Sequence, residues 1–219
     1  MRPEAEASTP KDAGYYAGAN QNLLAMLPED ATTILDVGCA AGGLGQAIKA
    51  ARPGAVVHGI DRAPEALAEA AKHLDHVQSV DLDGELPTLE GRYDAIVCGD
   101  VLEHLIDPWS VLRWLGQHLA EGGAVVASIP NVRYYKVVRD LVFKGRFTYR
   151  DSGILDATHL RFFTLREMRT LFGRAGLEVE QHRAVLGGSN ALIRVLDALS
   201  FGRLEGLRAK QYVLRGRRG

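Results

Sequence analysis

The chain is short of cysteine, carries almost no net charge and contains no long apolar run, and each shortage removes a class of protein. Cys39 and Cys98 are its only cysteines. Both sit in apolar, strand-like surroundings, which fits free thiols in a reducing compartment better than a disulfide-built secreted scaffold. No stretch approaches the ~18 consecutive apolar residues of a membrane span, and residues 1–12 are acidic and small, without a signal-type apolar core. The expected setting is cytoplasmic. A formal net charge of −1 denies the chain the concentrated positive surface through which a general nucleic-acid binder displaces counterions. What remains is ordinary: 219 residues, 47% hydrophobic and 24% charged. That suits one domain over residues 1–219 with a full core.

Strand and helix signals alternate along most of this length. Ala19 to Leu27 shows helical spacing and stops at Pro28, within an N-terminal helical region of residues 1–30; the preceding Tyr15-Tyr16 pair is placed to fold over a site. Then come ILDVG, a helix from Leu44 to Ala51, AVVHGID, a helix from Pro64 to His73, HVQSVD, YDAIVCGD, a helix from Trp109 to Leu119, and GAVVASIP. Such alternation predicts βαβ units and a parallel sheet. The nearly unbroken apolar runs AIVCG and AVVASI fit strands buried on both faces.

Residues 131–163 break the pattern with an aromatic, basic stretch read as an inserted cap or acceptor segment. Thr164 and Glu167 have capping-box spacing for the next helix, which Gly173 or Gly176 ends. LEVEQHRAV and QYVLRGR resemble two last strands, separated by a helical insert within residues 187–207 and centred on Ala191 to Phe201. That insert, apolar and basic, suits peripheral membrane contact. Trp109 and Trp114 are read as packing residues, and Arg215 to Arg218 as a solvated end.

Asp36-Val37-Gly38-Cys39-Ala40-Ala41-Gly42-Gly43 joins a strand end, a glycine-rich turn and a helix start. Asp61, 19 residues beyond Gly42, stands near the ~20-residue spacing of a carboxylate that accepts from a ribose diol; it also fits a cap before Pro64. A nicotinamide dinucleotide shares both features, so Asp36 decides. A buried carboxylate there repels a pyrophosphate and suits the α-ammonium of S-adenosylmethionine. Ala40 replaces the central glycine of the dinucleotide pattern, which points the same way.

With DVGCAAGGLG in the place of its first motif, the chain resembles the class I methyltransferases over nearly its whole length. That resemblance implies an α/β, Rossmann-like fold with a mostly parallel seven-stranded sheet ordered 3-2-1-4-5-7-6, helices on both faces, and S-adenosyl-L-methionine as cofactor. The implied cofactor-binding set is Asp36, Gly38, Cys39, Ala40, Gly42, Asp61, Arg62, Asp81, Leu82 and Gly99. Asp81 stands where the adenine amino group is usually met, with Asp83 and Glu85 as competitors.

For the acceptor, DVLEHL, SIPNVRYYK and GILDATHLRFFT together resemble the branch of bacterial surface-polysaccharide and O-antigen biosynthesis, which implies O-methylation of a sugar or a nucleotide- or lipid-linked glycan. Pro130-Asn131 would then end the fifth strand at the acceptor side, and Arg133, Lys136, Arg139 and Arg146 would suit phosphorylated sugars. His159, His104 and Glu103 are the candidate catalytic residues, since a hydroxyl acceptor must lose a proton. DVLEH followed by THLRFFT is also similar to metal-assisted RNA 2′-O-methyltransferases and ubiquinone-pathway O-methyltransferases. In that reading Asp100, Glu103, His104 and His159 form an oxygen-and-nitrogen set for a divalent ion. Other readings stay open: anchoring roles for Glu103, His104 and His159, an acceptor that is a small molecule or RNA, and a non-catalytic cofactor-binding module for a partner enzyme.

Overall fold

The computed structural model describes residues 21–188, 193, 195, 197, 199 and 204–219. Seven strands form one sheet: β1 Thr33–Val37, β2 Val56–Asp61, β3 His76–Ser79, β4 Tyr93–Gly99, β5 Leu119–Pro130, β6 Leu177–Leu186 and β7 Ala209–Arg218. Their order is β3-β2-β1-β4-β5-β7-β6, as expected. β1 to β5 are parallel neighbours, and β7 runs antiparallel between β5 and β6.

Residues along β1 alternate between two apolar layers, so Leu35 and Val37 face one core and Ile34 the other. The first core is closed by α3 (Pro108–Gln117) and α5 (Leu165–Arg174), through Leu112, Leu115, Met168 and Phe172. The second is closed by α1 (Gly43–Ala51), α2 (Pro64–Ala70) and the helical residues 21–24, through Ile48, Leu67 and Leu23. Both predicted strands AIVCG and AVVASI are buried along their lengths, which explains their unbroken hydrophobicity.

Several boundaries shift for local reasons. α2 ends at Ala70, short of His73, because Lys72 and His73 donate to carbonyls only three residues back and the chain turns. α3 starts at Pro108, where Asp107 accepts from Ser110 N at 3.1 Å, and gives way to β5 at Leu119. Thr164 Oγ1 accepts from Glu167 N at 3.4 Å to start α5, and Gly176, at φ 76°, follows its end. A helix not foreseen, α4 (Tyr135–Lys144), lies inside the 131–163 segment and has no fully buried residue. The segment closes on itself: Asn131 pairs with Phe163, and Val132 N donates to Phe163 O at 3.0 Å.

The last arginines are not a solvated end. β7 continues through Arg218 between two strands, and Arg215 and Arg217 reach Glu180 on β6 at 2.5 and 3.1 Å. Trp109 and Trp114 pack against the first core as expected, with Trp114 Nε1 donating to Pro87 O at 2.9 Å. Tyr15 and Tyr16 lie outside the described residues. So does the insert at 191–203, except Ile193, Val195, Asp197 and Leu199, which are helical, ahead of α6 (Glu205–Arg208). Among the described residues, no helix is long and apolar enough to cross a membrane. Cys39 and Cys98 are free and buried.

Candidate active site

β1 and β4 lie side by side where the strand order reverses, the place where ligands of open α/β sheets bind. Only two non-glycine residues among those described have positive φ, Ala40 at 45° and Asp100 at 55°, and each follows one of these two strands. Gly38 N and Cys39 N donate to Ile60 O at 2.8 and 3.0 Å, tying the turn after β1 to the end of β2. Two glycines in that turn are required by space as well as by φ. A Cβ on Gly38 (φ 67°) would stand 2.7 Å from Val101 Cγ2, and one on Gly42 (φ 82°) 3.1 Å from Ala70 Cα.

Ala40 holds a left-handed conformation in a position suited to glycine, which costs about 1–2 kcal/mol. Ala40→Gly should therefore raise stability, by up to about 1 kcal/mol once the added freedom of the unfolded chain is subtracted. Urea denaturation of the two proteins checks this, and an unchanged or lowered midpoint would show that the turn carries no such strain.

Asp61 is fastened to the same turn. Its Oδ2 accepts from Ala40 N and its Oδ1 from Ala63 N, both at 2.9 Å. Each carboxylate oxygen has a second acceptor position, so the residue can organise the loop and still accept from a ribose diol. The cap expected of Asp61 is not made, since the N-cap of α2 is Ala63 and no side chain caps it; Asp61 ties down the turn before the helix instead.

Asp36 is 2% exposed. It accepts from the backbone N–H of Gly45, in the first turn of α1. Gly42, the N-cap of that helix, has no side chain to accept, so a carboxylate from the neighbouring strand takes the part. Burial, with a smaller contribution from the charge of Asp61, pushes the Asp36 carboxyl up to about 7 despite that hydrogen bond. Its Oδ2 is buried without a hydrogen-bond partner among the described residues. An orphaned carboxylate oxygen beside a glycine cradle fits the ammonium of S-adenosylmethionine and opposes a pyrophosphate.

The rest of the expected cofactor set is distributed unevenly. Asp81 is exposed at the end of the β3 loop, with its Oδ1 accepting from Asp83 N at 3.1 Å. Asp83 turns instead to Ile106 N at 2.8 Å and ties this loop to the one after β4. Leu82 packs against the first core, Arg62 is exposed, and Gly99 is half-buried beside Leu23. The buried Cys39 thiol is pushed up to about 12, chiefly by desolvation and then by Asp36, so its part is structural.

At the C-terminal end of β4 the chain makes a single 3₁₀ turn, Leu102–His104. Leu160 N and Arg161 N donate to the Glu103 carbonyl at 2.9 and 3.0 Å, drawing the GILDATHLRFFT block onto that turn. Glu103, His104 and His159 come together as a result, each offering one ligand-type atom, all within 4.8 Å of one another. The imidazoles meet edge to face with centroids 4.7 Å apart, and His159 Nε2 is 4.0 Å from Glu103 Oε1. His159 Nδ1 lies 3.0 Å from Ile154 O. A carbonyl can only accept, so Nδ1 carries the proton, and neutral His159 has its lone pair on Nε2, the atom nearest Glu103.

Asp100 does not join this group. Its Oδ1 accepts from Ser128 Oγ at 3.0 Å and from Gln211 Nε2, toward β5 and β7. The side chain of Asn131 is likewise committed to the backbone, donating to Gly206 O and Ala209 O at 2.7 and 2.8 Å and accepting from Arg133 N. It anchors the 131–163 segment rather than facing an acceptor. Sequence spacing gave no sign of either arrangement, because Gln211 and Ala209 arrive from a strand some 80–110 residues later.

Comparison with known proteins agrees with this geometry. A family model described as a methyltransferase domain matches residues 12–182. The ubiquinone biosynthesis O-methyltransferase of Aeromonas salmonicida is 33% identical over 159 residues, 69% of this chain and 65% of that protein. The protein of the same description from Xanthomonas campestris pv. campestris is 41% identical over 107 residues, 45% of this chain and 43% of that protein. The chain thus spans about two fifths to two thirds of the length of these relatives. Among solved structures, a SAM-dependent methyltransferase from Archaeoglobus fulgidus shares the fold with a TM-score of 0.66 at 13% identity, covering 94% of each chain. One from Mesorhizobium loti does so with a TM-score of 0.62 at 22% identity, over 90% of this chain and 95% of that one. The chain belongs to the methyltransferase-domain family.

Proposed function

We propose that this chain methylates a hydroxyl oxygen of a small-molecule acceptor, using S-adenosylmethionine. The observation that carries the proposal is the convergence of Glu103, His104 and His159 at the mouth of the cofactor crevice, with His159 Nε2 4.0 Å from Glu103 Oε1. When bound, the cofactor supplies a methyl group on a sulfonium, electrophilic without further activation. The protein's task is then to hold an acceptor oxygen at about 3–3.5 Å from that methyl and to take its proton. Asp36 and Asp61 fix the two polar ends of the cofactor, and a neutral imidazole of the cluster receives the acceptor proton while Glu103 stabilises the imidazolium that forms.

The relatives, O-methyltransferases of ubiquinone biosynthesis, support oxygen as the acceptor atom. The sugar acceptor suggested by the three-block resemblance has no counterpart among them. It keeps a physical basis in Arg133, Lys136, Arg139 and Arg146, all exposed on the 131–163 segment. Incubation with labelled S-adenosylmethionine and parallel pools of phenolic lipids and nucleotide- or lipid-linked sugars tests the proposal. Alkali-stable methyl ethers are expected in one pool. Cofactor binding with no incorporation into any hydroxyl compound would instead favour a non-catalytic binding module.

A second reading is favoured by the donor set itself. Two imidazoles and a carboxylate within 4.8 Å form a nitrogen-and-oxygen group suited to a divalent cation. Glu103, His104 and His159 would hold the ion, which would lower the pKa of an acceptor hydroxyl. On this reading a chelator abolishes turnover, magnesium or manganese restores it, and His104→Ala no longer responds to added metal. Full activity in chelator assigns the cluster to proton transfer alone.

A further inference from the structure

His104 is held by a chain of groups that neither the resemblance nor the relatives assign. Its Nδ1 lies 3.1 Å from Thr158 Oγ1 and 3.2 Å from Thr158 O. Thr158 Oγ1 stands 2.6 Å from Asp156 Oδ1, and Thr158 N donates to the same oxygen at 2.9 Å. Asp156 is 5% exposed and belongs to the folded part of the segment, its backbone bridged to Arg150. A carboxylate only accepts, so the threonine hydroxyl spends its single proton on Asp156. Both oxygens of Thr158 therefore face His104 as acceptors, and Nδ1 must be the protonated nitrogen. Neutral His104 is left with its lone pair on Nε2.

We propose that Asp156 and Thr158 are positioning residues that set the tautomer and ring orientation of His104, so that the 154–159 turn presents Nε2 of both histidines to the reacting groups. The Ile154 carbonyl does for His159 what Thr158 does for His104. One turn thus fixes two imidazoles, while the edge-to-face contact between the rings keeps them at 4.7 Å. The arrangement serves proton transfer and metal ligation alike, because either use needs the lone pair on Nε2 and a ring that does not rotate. The inference rests on the functional reading of the cluster only for its catalytic consequence; the tautomer follows from the hydrogen bonds alone.

Thr158→Ser keeps the hydroxyl and should retain kcat within about twofold. Thr158→Val keeps the shape and the backbone carbonyl but puts a methyl group in place of the hydroxyl that faces both Nδ1 and Asp156. Asp156→Asn still accepts from Thr158, whereas Asp156→Ala releases it. For Thr158→Val and Asp156→Ala, kcat should fall about 10- to 100-fold, by analogy with the loss of a partner that orients a metal-ligating histidine, with cofactor Kd unchanged. ¹⁵N spectra of histidine-labelled protein read the tautomer without any assay. The wild-type His104 ring, when neutral, should be protonated at Nδ1, and Thr158→Val should shift it toward a mixture of tautomers. A wild-type ring protonated at Nε2 overturns the inference, even if the variants fail to fold. So does an unchanged kcat and spectrum in both Thr158→Val and Asp156→Ala. If the chain transfers no methyl group, the spectra still decide the tautomer, so failure of the functional reading and of this one remain distinguishable.

Discussion

Asp36→Asn should make the ligand-free chain more stable above pH about 7 and abolish its binding of S-adenosylmethionine. Both effects have one cause. Burial holds the Asp36 carboxyl up to about 7, whereas in the unfolded chain it ionises near its ordinary value of 3.8. Between these values the folded protein keeps a proton that the unfolded chain has lost, so stability falls as pH rises through the window and stays reduced above it. At ~1.36 kcal/mol per pKa unit the full penalty is on the order of 4 kcal/mol. Asn retains an acceptor for Gly45 N and carries no charge to desolvate. Urea titrations at several pH values should show the variant gaining on the wild type from about pH 4 to about pH 7. Equal curves would mean that Asp36 ionises normally in the folded chain.

Cofactor binding should move the other way. The ammonium needs the ionised carboxylate, so wild-type affinity should weaken as pH falls below about 7, by up to about tenfold per unit. The variant, which has no charge to offer, should show neither the affinity nor its pH dependence. A position that destabilises the empty protein while holding its ligand is a common cost of function.

The second large effect belongs to the Glu103, His104 and His159 cluster. Glu103→Gln is nearly isosteric and leaves the backbone carbonyl that receives Leu160 N and Arg161 N in place. His159→Ala removes the imidazole whose Nδ1 faces Ile154 O. Methyl transfer should drop by about 10²–10⁴ in either variant, the usual contribution of a positioned proton acceptor, while cofactor Kd changes by less than about twofold. His159→Ala also removes a buried ring and the donor to the half-buried Ile154 carbonyl, and should lose about 1–3 kcal/mol of stability. Glu103→Gln is therefore the cleaner test. Turnover within about twofold of wild type for Glu103→Gln would reduce the cluster to an anchor for the 154–163 chain.

What could be read from the sequence was governed by local physics. ILDVG, AIVCG and AVVASI declared themselves because strands buried on both faces must be apolar throughout. The closeness of Asp36 and Asp61 could be read because both lie near the ends of adjacent parallel strands, β1 and β2. Less visible was anything decided by a distant partner. Asp100 looked like a fourth member of the cluster until Ser128 and Gln211 claimed its carboxylate. Arg215 and Arg217 looked like a solvated tail because the pairing of β7 between β5 and β6, and the carboxylate of Glu180, are non-local. Helix α4 was hidden by composition: Val137, Val138 and Val142 favour strands, and no residue of the helix is fully buried to mark an inner face. Its end at Gly145, with φ 59°, was the one signal available.

The turn after β1 also gained a second function. From the sequence, Asp36 was a discriminator between two ligands; in the folded chain it also holds the start of α1 through Gly45. On the proposed function, a bound ammonium would offset the cost of burying this carboxylate in the sheet.

Calorimetric titration of the chain with S-adenosylmethionine, beside Asp36→Asn and Asp61→Ala, addresses the central claim most directly. Saturable binding at one site per chain is expected for the wild type at pH about 8, lost in Asp36→Asn and weakened at least about tenfold in Asp61→Ala, with no heat from a nicotinamide dinucleotide. Wild-type affinity retained by both variants, or tighter binding of the dinucleotide, would contradict the assignment of this crevice.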